Sequence, residues 1–238
     1  MDILFLLGIV FFTHFIGALT GFGATVLALP MTISIIGIQS AKPMLTILGF
    51  LQCLLVAIKQ FKNIDFSQVK KVVSIVIIGM VFGILLYNML DQNLLIFILS
   101  IFMIVISIKG FLELFGFTFK NISNPILNII LFIGGIIHGA FVSGGPLLMI
   151  YSSEKMKVKE TFRATMSMIW VILNGILIIE SILSNTYTTE IIGYTILTLP
   201  VLFLSVFVAN KLSSKVNQRF FSFIIYTTLL INAILNLI

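Results

Sequence analysis

The stretch GALTGFGAT at residues 17–25 interrupts an apolar run that covers residues 3–37. A second stretch, GAFVSGGP at residues 139–146, interrupts another apolar run, residues 125–151. Each run exceeds the roughly 20 residues of an ordinary membrane span. Glycine permits backbone conformations that other residues avoid, and Pro146 suits the first turn of a helix because it lacks an N–H. We therefore predict that one helix ends and another begins inside each run.

The composition of the chain indicates that its solvent is lipid rather than water. Of its 238 residues, 60% are hydrophobic and only 9% are charged, and the mean hydropathy is +1.23. Soluble domains carry about 25% charged residues. Continuous apolar runs, such as residues 72–86 and 94–108, favour helices over barrel strands. We therefore predict an all-α polytopic membrane protein. Its single cysteine, Cys53, excludes an internal disulfide and a cysteine metal cluster.

The apolar segments fall into two similar halves. The broken run 3–37 is followed by segments 43–58, 72–90 and 94–108, and the broken run 125–151 by segments 164–183, 191–209 and 220–238. Gly17-Ala18 and Gln52 have counterparts about 122 positions later in Gly139-Ala140 and Asn174. Many transporters contain such internal repeats. We expect one transmembrane domain, residues 1–238, made of repeats 1–112 and 122–238. Each repeat would have a broken, hairpin-like first segment and three transmembrane helices.

Loop charges predict that the two repeats have opposite orientations in the membrane. The loop 59–71 carries four lysines, whereas its counterpart 180–190 carries two acids and no base. The loop around Asp91 is acidic, and its counterpart 211–219 is basic. Basic loops stay on the cytoplasmic side. This rule places loops 59–71, 109–120, 151–163 and 211–219 inside, and Lys42, Asp91, loop 180–190 and both termini outside. A model in which each broken segment is two complete spans gives the same sides and stays open.

Two helix starts at membrane depth would form an anion site. The first N–H groups of a helix have no partner within it and carry partial positive charge. Such groups bind anions without a buried cation. The candidate residues at the two breaks are Thr20, Gly21, Gly23, Thr25, Ser143, Gly144 and Gly145. The alternative is that these glycines only allow close helix packing.

Polar side chains within other apolar segments complete the candidate site. Gln52 and Asn174 need hydrogen-bond partners, which are either the substrate or neighbouring helices. Arg163 is a candidate gate, or an arginine that snorkels to the interface. His14 and His138 are candidates for proton coupling, or neutral histidines bonded to backbone carbonyls. The chain has no metal-ligand cluster, P-loop or hydrolase motif. We therefore expect no metal, no cofactor and no enzymatic activity.

The glycine stretches resemble those of the sulfite exporter TauE/SafE family, also called the toluene sulfonate uptake permeases. The matching segments are 17–25, 135–146 (GIIHGAFVSGGP) and 162–165 (FRAT), together with Pro30. The chain departs from the family in having only Gly144-Gly145 before Pro146, and Gly23-Ala24-Thr25 in the first repeat, where three glycines are usual. The resemblance covers nearly the whole chain. It implies transport of sulfite, a sulfonate or a related sulfur-containing anion across a prokaryotic cytoplasmic membrane.

We therefore expect a multi-pass secondary transporter of the cell inner (plasma) membrane. Its expected partners are a small anionic substrate and the lipid bilayer, with protons as the candidate coupling ion and no nucleic acid. The sequence leaves the oligomeric state open, a homo-oligomer included. The alternative function is a non-transporting accessory or assembly membrane protein. A third class, an intramembrane enzyme, lacks a set of catalytic groups in this sequence.

Overall fold

A computed structural model describes residues 2–20, 23–117, 122–156, 158–212 and 218–237. In these ranges the chain folds into nine α-helices and one short 3₁₀ turn, Phe61–Asn63, and contains no strand. The helices are α1 (Asp2–Thr20), α2 (Ala24–Lys59), α3 (Phe66–Met89), α4 (Gln92–Leu114), α5 (Asn124–Phe141), α6 (Gly145–Lys155), α7 (Lys159–Leu183), α8 (Thr189–Leu212) and α9 (Gln218–Leu235).

Most of the described helices have the length and composition of membrane spans. Seven of them, α1 to α5 with α7 and α8, are long and apolar enough to cross a bilayer. A helix rises 1.5 Å per residue, and the hydrocarbon core is about 30 Å thick. Helix α6 has 11 residues, and the apolar part of α9, Ile225–Leu235, is also short. The prediction of an all-α polytopic membrane protein is confirmed.

Each of the two broken runs contains a long helix followed by a shorter helical part. Residues 3–37 comprise α1 and the beginning of α2, and residues 125–151 comprise α5 and most of α6. The sequence predicted separate segments 3–37 and 43–58. Helix α2 (Ala24–Lys59) covers the end of the first segment and all of the second, but its backbone is not helical at Gly37 (φ 71°, ψ 160°), so a kink at the end of the predicted first segment divides it into two helical parts. Glycine adopts this backbone conformation without steric cost, so one residue changes the helix direction and no loop is needed.

Side-chain caps determine where α3 and α4 begin. The carboxylate of Asp65 accepts hydrogen bonds from the N–H groups of Ser67 (3.0 Å) and Gln68 (3.1 Å). The carboxylate of Asp91 accepts one from the N–H of Leu94 (2.9 Å). An N-cap aspartate thus satisfies N–H groups that have no partner inside the helix. These two helix starts are therefore closed by their own local sequence.

Helices α3 and α5 pack through glycines on both contact surfaces. A Cβ atom on Gly79 or Gly83 of α3 would overlap the backbone carbonyl oxygen of Phe132 or Ile136 in α5. A Cβ atom on Gly135 or Gly139 would likewise overlap carbonyls of α3. Glycines four residues apart let two membrane helices approach until their backbones touch. The spacing between α3 and α5 therefore depends on the absence of side chains there.

The buried apolar residues form two clusters that meet near the helix breaks. One cluster comes mainly from α1, α2, α4, α8 and α9, and the other mainly from α3, α5, α6 and α7. Helix α2 of the first cluster packs directly on α7 of the second. Helix α5 contributes to both clusters, with Leu127 and Leu131 in one and Ala140 and Phe141 in the other. The two breaks consequently lie inside the helix assembly.

The α3–α5 contact predicts a large difference between two glycine substitutions. Gly83→Leu should force the two backbones apart and destabilise the protein by about 1–3 kcal/mol or more, which corresponds to a Tm lower by roughly 2–12 °C. Gly193→Leu in α8 is the matched control, because no atom lies within 4 Å of a Cβ at that position. Thermal unfolding of both purified variants in detergent measures the effect. Equal Tm values for the two variants would contradict the packing described.

Candidate functional site

Both predicted helix breaks are present. Helix α1 ends at Thr20 and α2 begins at Ala24, preceded by Gly23 in the left-handed region (φ 85°). Helix α5 ends at Phe141 and α6 begins at Gly145, with Val142 also left-handed (φ 54°) between them. Gly21 and the side chain of Thr20, both predicted site residues, lie outside the described residues. The backbone therefore turns sharply at the two places where the glycines stand.

The two breaks contact each other directly. The hydroxyl of Thr25, in the first turn of α2, donates a hydrogen bond of 2.9 Å to the carbonyl oxygen of Val142. That carbonyl belongs to the residue that ends α5, and such carbonyls lack a partner within their own helix. One break thus satisfies a backbone acceptor of the other, across 117 residues of sequence.

Side chains from other helices also bind the end of α1. Nη2 of Arg163, in α7, donates a hydrogen bond of 2.8 Å to the carbonyl oxygen of Ala18. Nε2 of Gln52, in the second part of α2, donates one of 3.3 Å to the carbonyl oxygen of His14. A positive group also complements the partial negative charge at a helix C-terminus. The carboxyl ends of both interrupted helices are therefore held by donors from elsewhere in the chain.

The amino ends of the two following helices have no such partners. Gly23 precedes α2 and Gly144 precedes α6, and neither start has a side-chain cap. The N–H groups of Ala24, Thr25 and Val26 make no hydrogen bond to the part of the chain that the structure describes. This contrasts with the aspartate caps of α3 and α4. The first turn of α2 thus leaves its donors open, whereas in α6 Pro146 has no N–H and the N–H of Leu147 bonds to the carbonyl oxygen of Gly144 (3.2 Å).

A small cavity of about 40 Å³ lies at the meeting point of the breaks. It is lined by Ala24, Val26 and Gly145 from the helix starts and by Trp170 and Ser167 from α7. Six of the predicted site residues also line it, namely Gly23, Thr25, Gln52, Gly145, Asn174 and, among the coupling candidates, His138. The fold therefore brings together half of the predicted set, taken from four helices and both halves of the chain.

The side chains of Gln52 and Asn174 both line this cavity. A Cβ on Gly49 would lie 3.3 Å from Nδ2 of Asn174 and 3.3 Å from Cγ2 of Thr25, so a side chain there would fill the space between them. Oε1 of Gln52 and Oδ1 of Asn174 are buried and have no hydrogen-bond partner among the described residues. An unsatisfied buried amide costs about 1–3 kcal/mol on mutational scales. Both side chains are thus available to a guest in the cavity.

The two histidines occupy different environments. The imidazole of His138 lines the cavity, lies against Trp170 with ring centroids 5.0 Å apart, and is adjacent to Asn174. Neither of its nitrogens has a hydrogen bond of good geometry to a described residue. The ring of His14 lies outside the cavity, and its Nδ1 contacts the carbonyl oxygen of Val10 at 3.1 Å. His138 alone of the pair is therefore in contact with the site.

Two predicted site residues at the second break make packing contacts instead. The hydroxyl of Ser143 donates to the carbonyl oxygen of Phe141 (2.9 Å). A Cβ on Gly144 would overlap the carbonyl oxygen of Gly134 and lie 2.8 Å from Cβ of His138. Neither residue lines the cavity, nor does Arg163. The glycine at position 144 is thus needed for the close approach of α5 to the break.

A chamber of about 780 Å³ adjoins the small cavity, and sequence reasoning missed it. Its lining is mostly apolar and comes from α2, α4, α5, α6 and α9, with the ion pair Lys109–Glu113 and Ser123 and Ser153 as polar members. Gly23 and Val26 line both spaces. The chamber lies between helices that are distant in sequence, so no local sequence pattern predicts it. Trp170 and Gly49 were missed for the same reason.

The structure thus defines a polytopic helical membrane protein with two helix breaks that meet at a small cavity, whose lining includes the polar side chains of Gln52 and Asn174. The model of the sulfite exporter TauE/SafE family matches residues 6–235, and the chain belongs to this family. Membership makes it a multi-pass membrane protein of a permease and exporter family, as the resemblance of its glycine stretches predicted. No curated protein and no solved structure matches the chain.

The hydrogen bond between the breaks predicts an effect of a nearly isosteric substitution. Thr25→Val should leave the carbonyl of Val142 buried without its donor and cost about 1–3 kcal/mol, a fall in Tm of roughly 2–12 °C. Thr25→Ser keeps the hydroxyl, so its Tm should be closer to that of the unaltered protein. Thermal unfolding in detergent compares the two variants. A less stable serine variant would indicate that the methyl group, and not the hydrogen bond, holds the breaks together.

Proposed function

We propose that the chain is a secondary transporter that binds a small anion, sulfite or a sulfonate, between the two helix breaks. The observation that carries the proposal is that both uncapped helix starts, at Gly23 and at Gly145, line the same small cavity. Open N–H groups and the positive end of a helix dipole together form an anion site. In transporters, interrupted helices near the bilayer midplane place such ends against anionic substrates.

The size and the walls of the cavity support a small oxyanion. A buried water needs about 10–15 Å³ of such space, so a cavity of about 40 Å³ holds roughly three oxygen-sized groups. Gln52 and Asn174 add an amide from each side, and either amide presents N–H donors after rotation about its terminal bond. A sulfite or sulfonate group has three oxygens in this size range. The cavity would hold the charged group alone, and an organic substituent would extend past Gly23 towards the chamber.

The chamber supports a route from one side of the membrane to this site. Its mouth is formed near Lys109, Glu113 and Ser153, next to loops that the positive-inside rule places in the cytoplasm. Gly23 and Val26 separate it from the cavity. We assign this arrangement to an inward-facing conformation of a protein in the cell inner membrane.

The pattern of helix contacts supports two inverted repeats, residues 1–112 and 122–238. Exchange of the repeats would pair α1 with α5, α3 with α8 and α4 with α9. The observed contacts α3–α5 and α1–α8 would then be equivalent, as would α1–α2 and α5–α6, and α2–α8 and α3–α7. Rocking one repeat against the other would expose the cavity to each side in turn. Such motion would have to break and remake the bond from Arg163 to Ala18, which is why we assign Arg163 to the gate.

We assign the coupling role, if the coupling ion is a proton, to His138 rather than to His14. Only the imidazole of His138 reaches the cavity, where the negative charge of a bound anion would favour its protonated form. The neighbours that face it are Trp170 and Asn174 of α7 and, through its charge, Lys42 of α2. His14 contributes its backbone carbonyl to Gln52 instead.

The alternative, an accessory or assembly protein, is favoured by the many glycines with packing roles. Gly79, Gly83, Gly135, Gly139 and Gly144 each lie against backbone atoms of a neighbouring segment. Gly145 differs from them, because a Cβ there would meet nothing closer than Val26 at 3.6 Å and Trp170 at 3.9 Å. Packing alone therefore gives no reason for glycine at position 145, whereas a substrate cavity does.

Gly145 provides the sharpest test of the transport site. Purified protein in liposomes should take up labelled sulfite, and Gly145→Ala should reduce this flux about tenfold or more by filling the cavity, equivalent to about 1.4 kcal/mol of lost binding. Gly175→Ala is the matched control in α7, because its Cβ would have a similar neighbour distance, 3.6 Å to Phe50, outside the cavity. Unimpaired flux through the position 145 variant would refute the site. Absence of flux with every sulfur-containing anion tested would refute the transporter and favour the accessory protein.

The inverted arrangement predicts opposite labelling of two loops. In a Cys53→Ala background, Lys62→Cys should react with an impermeant thiol reagent from the cytoplasmic side only. Glu190→Cys should react from the outer side only, because its loop has the opposite charge bias. Both positions are exposed in the fold. Right-side-out and inverted membrane vesicles give the two readings, and labelling of both positions from one side would exclude the inversion.

A further inference from the structure

Lys42 is a buried cation that does not line the cavity of the proposed transport site. Its side chain, in the second part of α2, is only 7% exposed. Its ammonium lies 3.5 Å above the centroid of the Tyr87 ring in α3. Among the described residues no carboxylate oxygen lies at ion-pair distance from the Lys42 ammonium. The ion pair that these residues do form, Lys109–Glu113, lies within α4. A cation without a counter-ion is costly to bury, and an aromatic face offsets only part of that cost.

The neighbours of Lys42 place it between the cavity and the side of the protein away from the chamber. Its charge interacts electrostatically with Glu180, near the end of α7, and with His138, which lines the cavity. Helix α5 begins at the chamber, with Ser123 and Ile126, and reaches His138 near its end. Lys42 therefore lies beyond the cavity as seen from the chamber.

Distances along α2 and α7 agree with this position. Lys42 precedes Gln52 by ten residues, or about 15 Å along α2. On α7, Glu180 follows Asn174 by six residues, or about 9 Å. The two helices run in opposite directions, because Gly49 lies beside Asn174 while Lys42 lies near Glu180. Moving from the cavity towards the outer end thus leads to Lys42 and Glu180 on facing helices.

The outer end has a second chemical feature, a partly exposed carboxylate held by hydroxyl groups. Glu180 accepts a hydrogen bond from Ser184 (3.1 Å) and one from Ser181 (3.4 Å). The negative charge of Glu180 also acts on Tyr87 and on Tyr187, which follows the end of α7. Burial, together with this charge, raises the pKa of the Tyr187 phenol. The charge of Glu180 therefore acts on Lys42, and this carboxylate would compete with any incoming anion for the ammonium.

We propose that Lys42 and Tyr87 form an outer anion subsite, at which the lysine ammonium, close to Glu180, binds the transported anion before it reaches the cavity. This inference rests on the proposed transport function. Without an anion, the ammonium rests on the ring of Tyr87 and closes the outer end of the path. An anion arriving from outside displaces the ring and neutralises the buried charge, then passes to the helix starts. Arg163 occupies the corresponding position in the second repeat, where its partner is the carbonyl of Ala18.

Side-specific kinetics of sulfite flux test the subsite. Lys42→Gln should raise the KM for sulfite presented from the outer side about tenfold or more, the loss of about 1.4 kcal/mol, with a smaller change for sulfite from the inner side. Lys42→Arg keeps the charge and Tyr87→Phe keeps the ring, so both variants should have an outer KM close to that of the unaltered protein. Lys109→Gln at the chamber mouth is the matched control and should affect the inner side instead. Glu180→Gln, which removes the competitor, should lower the outer KM or leave it unchanged.

The outcomes separate the subsite from the transport function. An unchanged outer KM in Lys42→Gln, with normal flux, overturns the subsite and leaves the transporter intact. An equal rise on both sides also overturns it, because general damage would act symmetrically. If the unaltered protein carries no sulfite, the transporter fails, and the subsite is judged by binding alone. A sulfite-dependent rise in Tm that Lys42→Gln abolishes then supports it, and a rise that persists in this variant, or no rise in either protein, overturns it.

Discussion

Backbone polar groups cannot be left without partners in an apolar environment, and the two helix breaks of this protein obey that constraint in an asymmetric way. At the carboxyl ends of α1 and α5, donors from distant segments bind backbone carbonyls: the Arg163 guanidinium binds that of Ala18, and the Thr25 hydroxyl binds that of Val142. At the amino ends of α2 and α6, no side chain of the preceding glycine can cap the helix. Among the described residues the first N–H groups of α2 have no partner, and this asymmetry is the basis of the proposed anion site.

The glycines of the chain divide into those that pack helices and those that make room. Along α3 and α5, every glycine in the contact lies against backbone, and the spacing of the two helices follows from that. The glycines at positions 134 and 144 also have a packing role, because they let α5 lie close to the second break. Gly145 has free space in front of it, and this space belongs to the cavity. The sequence alone does not distinguish the two kinds of glycine, because both occur within apolar runs.

Two cations near the helix breaks are held in different ways. Arg163 donates to the carbonyl oxygen of Ala18 at the end of α1, and Lys42 lies over the ring of Tyr87 and interacts electrostatically with Glu180. Among the described residues no carboxylate oxygen lies at ion-pair distance from Lys42. A cation held by an aromatic face changes partners more readily than one in a buried ion pair, whose separation leaves an uncompensated charge. If the repeats are inverted, as we propose, the two cations stand at equivalent positions on opposite sides of the cavity.

The sequence by itself determined the fold class, both helix breaks and the family, and six of the residues it nominated line the small cavity. Hydrophobicity and glycine act locally, through the cost of polar groups in lipid and the freedom of a residue without Cβ, so their effects can be read along the chain. Only the tertiary structure decided that the helix resumes directly after the kink at Gly37, that Ser143 and Gly144 do not line the cavity, and that Trp170 does. The reason is that burial and contact depend on which helices pack together, and residues such as Thr25 and Val142 meet across more than a hundred positions of sequence.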